Sequence, residues 1–145
     1  MTANVRAWQE TDISKIAQVE RVCFSDPWSE KDLLSCLSLP IYKTYLIEEN
    51  SKIVAYACQS VIFEDSEVLN IAVAPNHRGR GYGRKLMQEM LNTAVALKAC
   101  NVFLEVRVSN ETAKSLYRSF GFEEYGLRKN YYPDGENALL MKKTF

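Results

Sequence analysis

A run of glycine and arginine residues is the stretch of this sequence best suited to chemistry. Glycines alternate in it with larger, mostly cationic residues: Arg78, Gly79, Arg80, Gly81, Tyr82, Gly83 and Arg84. Glycine lets the backbone approach a ligand closely, and arginine supplies cationic donors. An apolar, strand-like stretch precedes the run and a helix-like stretch follows it, and the N-terminus of a helix favours an anion. The run therefore predicts a phosphate or pyrophosphate site.

The spacing of the glycines limits which phosphate ligand fits. A P-loop ends in Gly-Lys-Ser/Thr, and this run does not. A dinucleotide fingerprint reads G-x-G-x-x-G, whereas the glycines here are spaced G-x-G-x-G. What remains is R-x-x-G-x-G, formed by Arg78, Gly81 and Gly83. The alternative is an ordinary strand-to-helix turn with solvated arginines.

Glu105 is the candidate for acid–base chemistry. It lies in the apolar segment 102–108, where alternation places Phe103, Glu105 and Arg107 on one face. A carboxylate on an apolar strand beside a phosphate loop can act as a general base. The alternative is a structural ion pair with Arg107 on the same face. Because a parallel sheet normally buries both faces, we favour the base.

A second motif follows between positions 110 and 122. Asn110 can cap a helix, and Ala113, Leu116 and Tyr117 share one side of it. The small Ala113 would let a ligand lie close to that side. Tyr117 could supply an acidic hydroxyl, or it could pack in the core with its hydroxyl bonded to the backbone. The sequence alone leaves both options open.

Three aromatic residues in loops could line an acceptor cleft. They are Trp28, Tyr131 and Tyr132. They could equally anchor their loops by hydrophobic packing.

Hydrophobic periodicity predicts an alternation of strands and helices that positions these residues. Asp12 is expected to cap a first helix, and Ser29 with Asp32 resembles a capping box for a second one that Pro40 closes. Further helices are predicted at 86–97 and 110–119. Strands are predicted at 5–8, 42–48, 53–63, 68–75, 101–108, 122–127 and 138–142. The strand–helix–strand unit between positions 68 and 108 implies a parallel strand pair.

Length, charge and cysteine content bound the class of protein. The chain has 145 residues, which suits one domain spanning 1–145, and it has a formal net charge of zero. A neutral chain is a poor nucleic-acid binder, and no stretch is long and apolar enough for a membrane span or a signal peptide. Four scattered cysteines, without a C-x-x-C pair, predict reduced thiols in a cytoplasmic monomer. One histidine makes a metal site an unattractive interpretation.

Taken together, the two motifs resemble those of the GCN5-related N-acetyltransferase (GNAT) family. The family pattern is a strand, R-x-x-G-x-G, a helix, a strand and then N-x-x-A-x-x-x-Y-x-x-x-G-F. Here the second block reads Asn110, Ala113, Tyr117, Gly121 and Phe122. The resemblance implies an α/β fold with a mixed, mostly antiparallel central sheet flanked by helices. One parallel strand pair would surround the acetyl-coenzyme A site.

A closer resemblance is to the bacterial branch of that family that acetylates the N-terminal alanine of ribosomal proteins. Four segments carry it: 27–29, 70–73, 104–107 and 130–133. The resemblance implies Glu105 as the base and Tyr117 as the acid that protonates the departing thiolate. It also implies that Ile71, Ala72, Val73, the loop 78–84, Asn110 and Tyr117 contact acetyl-CoA. Gly79 occupies a position where this branch often carries arginine.

The predicted function is therefore acetyl transfer from acetyl-CoA to the α-amine of a protein N-terminus. The acceptor implied by the resemblance is a small-subunit ribosomal protein, with Trp28, Glu105, Tyr131 and Tyr132 near it. An α-amine, with a pKa of about 8, is easier for one carboxylate to deprotonate than a lysine, with a pKa of about 10.4. The alternatives are a small-amine acetyltransferase, acting on polyamines or antibiotics, and a non-catalytic coenzyme A-binding regulatory module.

Overall fold

A central sheet of seven strands organises the chain in the computed structural model, which describes residues 4–145. The strands run in the order β1-β2-β3-β4-β5-β7-β6 across the sheet. Their bounds are β1 (Val5–Arg6), β2 (Tyr42–Glu49), β3 (Lys52–Ile62), β4 (Asp65–Val73), β5 (Asn101–Arg107), β6 (Glu123–Arg128) and β7 (Ala138–Thr144). All neighbours pair antiparallel except β4 and β5, which are parallel. The predicted fold class is confirmed, including its single parallel pair.

Among residues 4–145, four α-helices flank the sheet. They are α1 (Ile13–Cys23), α2 (Glu30–Ser35), α3 (Tyr82–Ala96) and α4 (Glu111–Ser119). The apolar sides of α3 and α4 pack on one face, in a core that contains Leu86, Met90 and Tyr117. The helices α1 and α2 cover part of the other face, in a core around Ile16, Leu33 and Tyr56. In the described part of the chain, none of these helices combines the length and the apolarity needed to cross a bilayer.

Of the caps predicted for the first two helices, the structure contains one and lacks the other. Ser29 and Asp32 form the expected capping box, because each side chain accepts a hydrogen bond from the backbone N–H of the other residue, at 3.1 Å. The prediction that the Asp12 side chain caps α1 is wrong. Asp12 belongs to a short 3₁₀ turn before α1, and its carboxylate binds Arg6 and the backbone N–H of Gln9. Tertiary contact with β1 overrides the local capping preference.

The helix α2 is shorter than expected. It ends at Ser35, well before Pro40, and only Leu33 of its leucines is fully buried. Leu34 is exposed because so short a helix turns only one narrow side toward the sheet, and Leu37, which lies beyond the end of α2, is exposed as well.

Candidate active site

The candidate site lies where β4 and β5 part. These strands pair only from Asp65 to Glu67, opposite Asn101 to Phe103. Just beyond this point, the register of β4 against β3 shifts so that Leu69 is an extra residue between Val68 and Asn70. A β-bulge of this kind bends its strand. The bend turns β4 away from β5 and opens a gap in the sheet.

The gap exposes backbone groups of β4. The Val73 carbonyl accepts a hydrogen bond from Arg78 Nε at 3.0 Å and therefore does not face β3. Because the hydrogen-bonding edge alternates along a strand, the N–H groups of Ile71 and Val73 point into the gap. The bulge that leaves these donors free lies earlier in the strand, at Leu69.

The glycine run connects β4 to α3 at one end of the gap. Gly81 precedes the first residue of α3 and has a φ of 84°, a left-handed conformation that disfavours other residues. A Cβ atom on Gly83 would lie 3.4 Å from Leu116 Cδ2 of α4 and 3.8 Å from Val73 Cγ2 of β4. The glycines thus let α3 start close to both neighbours, with the unpaired N–H groups of its first turn available to a ligand.

The arginines of the run have different surroundings. Arg84 donates to Ser119 Oγ at 3.1 Å and lies over the Phe120 ring, so it stays beside α4. Arg80 turns the other way and binds the Glu49 carboxylate at the end of β2 at 3.0 Å. The Tyr82 hydroxyl also donates to Glu49, at 2.8 Å. Glu49, which the sequence analysis did not single out, therefore anchors the loop from outside.

A cleft of about 870 Å³ runs through the gap and joins most of the predicted residues. Its lining includes Trp28, Ile71, Ala72, Val73, Arg78, Gly79, Gly81, Tyr82, Gly83, Arg84, Glu105, Asn110, Tyr117 and Tyr132. Arg80 and Tyr131 were predicted as contact residues but lie outside this lining. Arg80 is held by Glu49. Tyr131 is exposed in the segment that connects β6 and β7.

Tyr117 reaches the cleft from α4. Its ring is buried and packs against Phe122 at a centroid distance of 6.0 Å. Within residues 4–145, its hydroxyl makes no hydrogen bond, so the alternative of a hydroxyl bonded to the backbone is not observed. Burial, with a smaller contribution from Tyr132, raises the pKa of Tyr117 above its ordinary value. The hydroxyl therefore keeps its proton and can donate it.

Asn110 begins α4 and fulfils its predicted local role. Its side-chain oxygen accepts a hydrogen bond from the Ala113 N–H at 3.1 Å. The side-chain nitrogen then remains available as a donor to a ligand in the cleft.

Glu105 lies on β5 at the other side of the gap. Its nearest cation is Arg128 of β6, with 3.6 Å between Oε1 and Nη1. The expected alternative partner, Arg107, is occupied by other carboxylates. The neighbouring Tyr131 hydroxyl interacts with Glu105, which raises the pKa of Tyr131. Glu105 is thus accessible from the cleft, and no buried cation among residues 4–145 pairs with it.

Beyond Glu105 a second, smaller cleft of about 490 Å³ continues along β4 and β5 toward the turn that joins β3 and β4. Glu105 borders both clefts. The walls of the smaller one carry Glu64, Asp65 and Glu67, and the edge-to-face pair of Phe103 and Tyr125 lies on the same side. An extended ligand could therefore enter the main cleft at Glu105 from this side.

A buried carboxylate that sequence reasoning missed supports the far wall of the main cleft. Glu20 of α1 is 2% exposed and accepts hydrogen bonds from the Trp28 N–H at 3.0 Å, from Asn70 Nδ2 at 2.9 Å and from the Tyr56 hydroxyl. It thereby ties the connection between α1 and α2 to β4. The sequence did contain a signal, because Ile13, Ile16, Ala17 and Glu20 share one side of α1, where a charge is unexpected.

Comparisons with known proteins agree with this geometry. Residues 13–122 match the model of the acetyltransferase (GNAT) family. The chain belongs to this family, and it is an acetyltransferase.

Its relatives include proteins with a defined acceptor. The [ribosomal protein bS18]-alanine N-acetyltransferase of Escherichia coli (strain K12) is 34% identical over 140 residues, covering 94% of each chain. The crystal structure of the ribosomal-protein-S18-alanine N-acetyltransferase from Escherichia coli superposes with a TM-score of 0.91 at 32% identity, covering 99% of this chain and 94% of that one. Arabidopsis thaliana Naa50, in complex with a bisubstrate analogue, shares the fold with a TM-score of 0.88 at 19% identity, each chain covered completely.

Proposed function

We propose that this protein transfers the acetyl group of acetyl-CoA to the N-terminal alanine of a small-subunit ribosomal protein. The observation that carries the proposal is that Glu105 and Tyr117 border one cleft together with the glycine loop. A base, an acid and a phosphate-binding loop in one cleft are the parts that acetyl transfer to an amine requires. The similarity to an alanine N-acetyltransferase of known acceptor supports the choice of acceptor.

Acetyl-CoA fits the donor end of the cleft. The N–H groups at the start of α3 would receive its pyrophosphate, and Arg78 and Arg84 add positive charge there. The N–H groups of Ile71 and Val73 would hold the extended arm and the thioester oxygen along the gap. No group of three or more His, Cys, Asp or Glu side chains among residues 4–145 is arranged to hold a metal ion.

Glu105 would prepare the acceptor amine. About a tenth of an α-amine with a pKa near 8 is already neutral at pH 7, so one carboxylate, directly or through water, suffices to take the remaining proton. The amine nitrogen then attacks the thioester carbonyl carbon, forming the amide bond while the carbon–sulfur bond breaks. Tyr117, kept protonated by its raised pKa, would give its proton to the departing sulfur. Glu105 would take the proton that the nitrogen loses when the amide forms and release it to solvent, from which the tyrosinate regains a proton. The products are the acetylated N-terminus and free coenzyme A.

The smaller cleft favours a polypeptide acceptor over a small amine. It extends from Glu105 along two strands, farther than a polyamine head or an antibiotic amine needs. A chain whose first residue lies at Glu105 could continue along it. A non-catalytic coenzyme A-binding module would have no use for Glu105 or for the protonated Tyr117.

The test is an acetylation assay that offers each class of acceptor separately. Peptides with the N-terminal sequence of the small-subunit protein bS18, the same peptides with a blocked α-amine and a set of free polyamines are each incubated with acetyl-CoA. We expect thiol release only with the free α-amine peptide. Equal turnover of polyamines would favour the small-amine alternative, and no thiol release despite acetyl-CoA binding would favour the non-catalytic module.

We further propose that the enzyme is a cytoplasmic monomer. Sedimentation at increasing protein concentration tests the oligomeric state, and localisation of a tagged chain in cells tests the compartment.

A further inference from the structure

Arg107 connects two loops that border the main cleft. It lies at the end of β5 with its side chain 21% exposed, and it contacts three carboxylates. Its Nη2 atom lies 3.0 Å from Asp26 Oδ1, and its Nη1 atom lies 2.8 Å from Asp134 Oδ2 and 2.9 Å from Glu136 Oε1. Asp26 belongs to the segment 24–29 between α1 and α2. Asp134 and Glu136 belong to the segment 129–137 between β6 and β7.

Both segments carry an aromatic residue into the cleft. The segment 24–29 contributes Trp28, and the segment 129–137 contributes Tyr132. The Arg107 guanidinium lies over the Tyr132 ring, 4.0 Å from its centroid, so it contacts one of these aromatic residues directly. Glu105 lies two residues earlier on the same strand face and lines the same cleft as these aromatic residues.

Each segment also has an anchor of its own. Trp28 N–H donates to Glu20, and Ser109 N–H donates to Glu136 Oε2 at 3.0 Å. Across residues 4–145, however, the hydrogen bonds that link one segment to the other all pass through Arg107. Without it, Asp26 would face Asp134 and Glu136 with no cation between them, and like charges would drive the segments apart.

We propose that Arg107 is a positioning residue that sets the width of the acceptor opening and so restricts the first residue of the acceptor to a small side chain. This inference rests on the proposed peptide-acetylating function. A planar guanidinium can bind carboxylates from different directions at once, which a lysine ammonium cannot match with the same geometry. On this proposal Trp28 and Tyr132 are held in place, so the first residue binds without ordering the loops, and a bulky side chain would have to displace one of these aromatic residues.

The test compares Arg107→Met, Arg107→Lys and Asp26→Asn with the parent enzyme. Arg118→Met is the matched control, because Arg118 also pairs with a carboxylate, Glu124, but lies on the surface away from the cleft. Two peptides that differ only in their first residue, alanine or leucine, serve as acceptors. We expect KM for the alanine peptide to rise roughly tenfold in Arg107→Met, equivalent to about 1.4 kcal/mol, and the alanine-over-leucine preference in kcat/KM to fall. Affinity for acetyl-CoA should stay at the parental value.

A readout independent of activity separates this inference from the proposed function. Trp8 is 4% exposed, whereas Trp28 lies at the cleft, so acrylamide quenching of tryptophan fluorescence reports mainly on the segment 24–29. We expect faster quenching in Arg107→Met, in Arg107→Lys and in Asp26→Asn, and parental quenching in Arg118→Met.

The outcomes are distinct. Parental quenching and parental peptide preference in the Arg107 variants, with only a lower melting temperature, would overturn the inference and leave the proposed function intact. Faster quenching in an enzyme that acetylates no peptide would refute the proposed function while showing that Arg107 holds the loop. Should Arg107→Met fail to fold, Asp26→Asn interrupts only the contact to the segment 24–29 and decides the question alone.

Discussion

Glu105 and Arg107 lie on the same face of β5, two residues apart, yet each pairs with other residues. Glu105 has Arg128 at 3.6 Å, and Arg107 has Asp26, Asp134 and Glu136 within 3.0 Å. Arg128 is largely exposed, and an exposed ion pair of this kind contributes little. Arg107 therefore joins two loops, whereas the Glu105 carboxylate remains available to a ligand.

This separation defines a test of Glu105 as the base. The Glu105→Gln variant keeps the size of the side chain but cannot accept a proton, so we expect kcat/KM to fall on the order of 10²–10⁴-fold. Part of the loss should return at higher pH, since free amine then becomes abundant without a base. Rate profiles between neutral and alkaline pH give the measurement.

Glu123→Gln is the matched control for that variant. Glu123 is exposed on β6 and borders neither cleft. We expect near-parental turnover in this control. A low melting temperature with normal turnover in Glu105→Gln would instead indicate a structural role for the carboxylate.

For Tyr117 the expected failure is different. Tyr117→Phe keeps the ring and its packing against Phe122, so acetyl-CoA affinity and melting temperature should change little while turnover falls. Raising the pH should not restore it, because the leaving thiolate still lacks its donor.

The raised pKa of Tyr117 determines how the turnover rate of the parent enzyme changes at alkaline pH. Because burial raises this pKa above the ordinary value of about 10, the hydroxyl stays protonated through neutral and mildly alkaline pH. The turnover rate should therefore show no alkaline loss from Tyr117 below about pH 10. An alkaline loss near pH 8 that disappears in Tyr117→Phe would contradict the direction of the shift.

The glycine loop is tested by Gly81→Val and Gly83→Val. The first forces a β-branched residue into a left-handed conformation, and the second crowds Leu116 and Val73. We expect both variants to bind acetyl-CoA much more weakly by calorimetry, because the backbone can no longer approach the pyrophosphate.

Gly135→Val controls for backbone strain alone. Gly135 has a φ of 88° and open space around its Cβ position, but it lies in the segment between β6 and β7. We expect parental acetyl-CoA affinity in this control. Unchanged affinity in both loop variants, with folding intact, would rule out the loop as the phosphate site.

The predicted reduced state of the four cysteines can be tested by counting free thiols. Cys23, Cys36, Cys58 and Cys100 are all free, and the neighbouring Cys36 thiol, together with burial, raises the pKa of the Cys58 thiol. Protonated thiols react slowly. We expect four free thiols when freshly purified protein is denatured and titrated. Two missing thiols, with a mass lower by two hydrogens, would reveal a disulfide.

Much of this molecule follows from local sequence. The period of apolar residues determined the strands and helices, and the glycine loop and Asn110 were recognisable because backbone conformation and helix capping are local properties. The motif spacing then placed Glu105 on the second strand of the parallel pair and Tyr117 on the helix that follows this strand.

Only the tertiary structure decided the rest, because charges choose partners across space. The sequence could not show that Arg80 binds Glu49 instead of facing the cleft, nor that Arg107 gathers carboxylates 27, 29 and 81 positions away. It located neither the bulge at Leu69 that opens the sheet nor the carboxylate of Glu20 that supports the loop carrying Trp28. Which distant residue a side chain binds depends on how the strands and loops pack against each other, and local sequence patterns do not encode that packing.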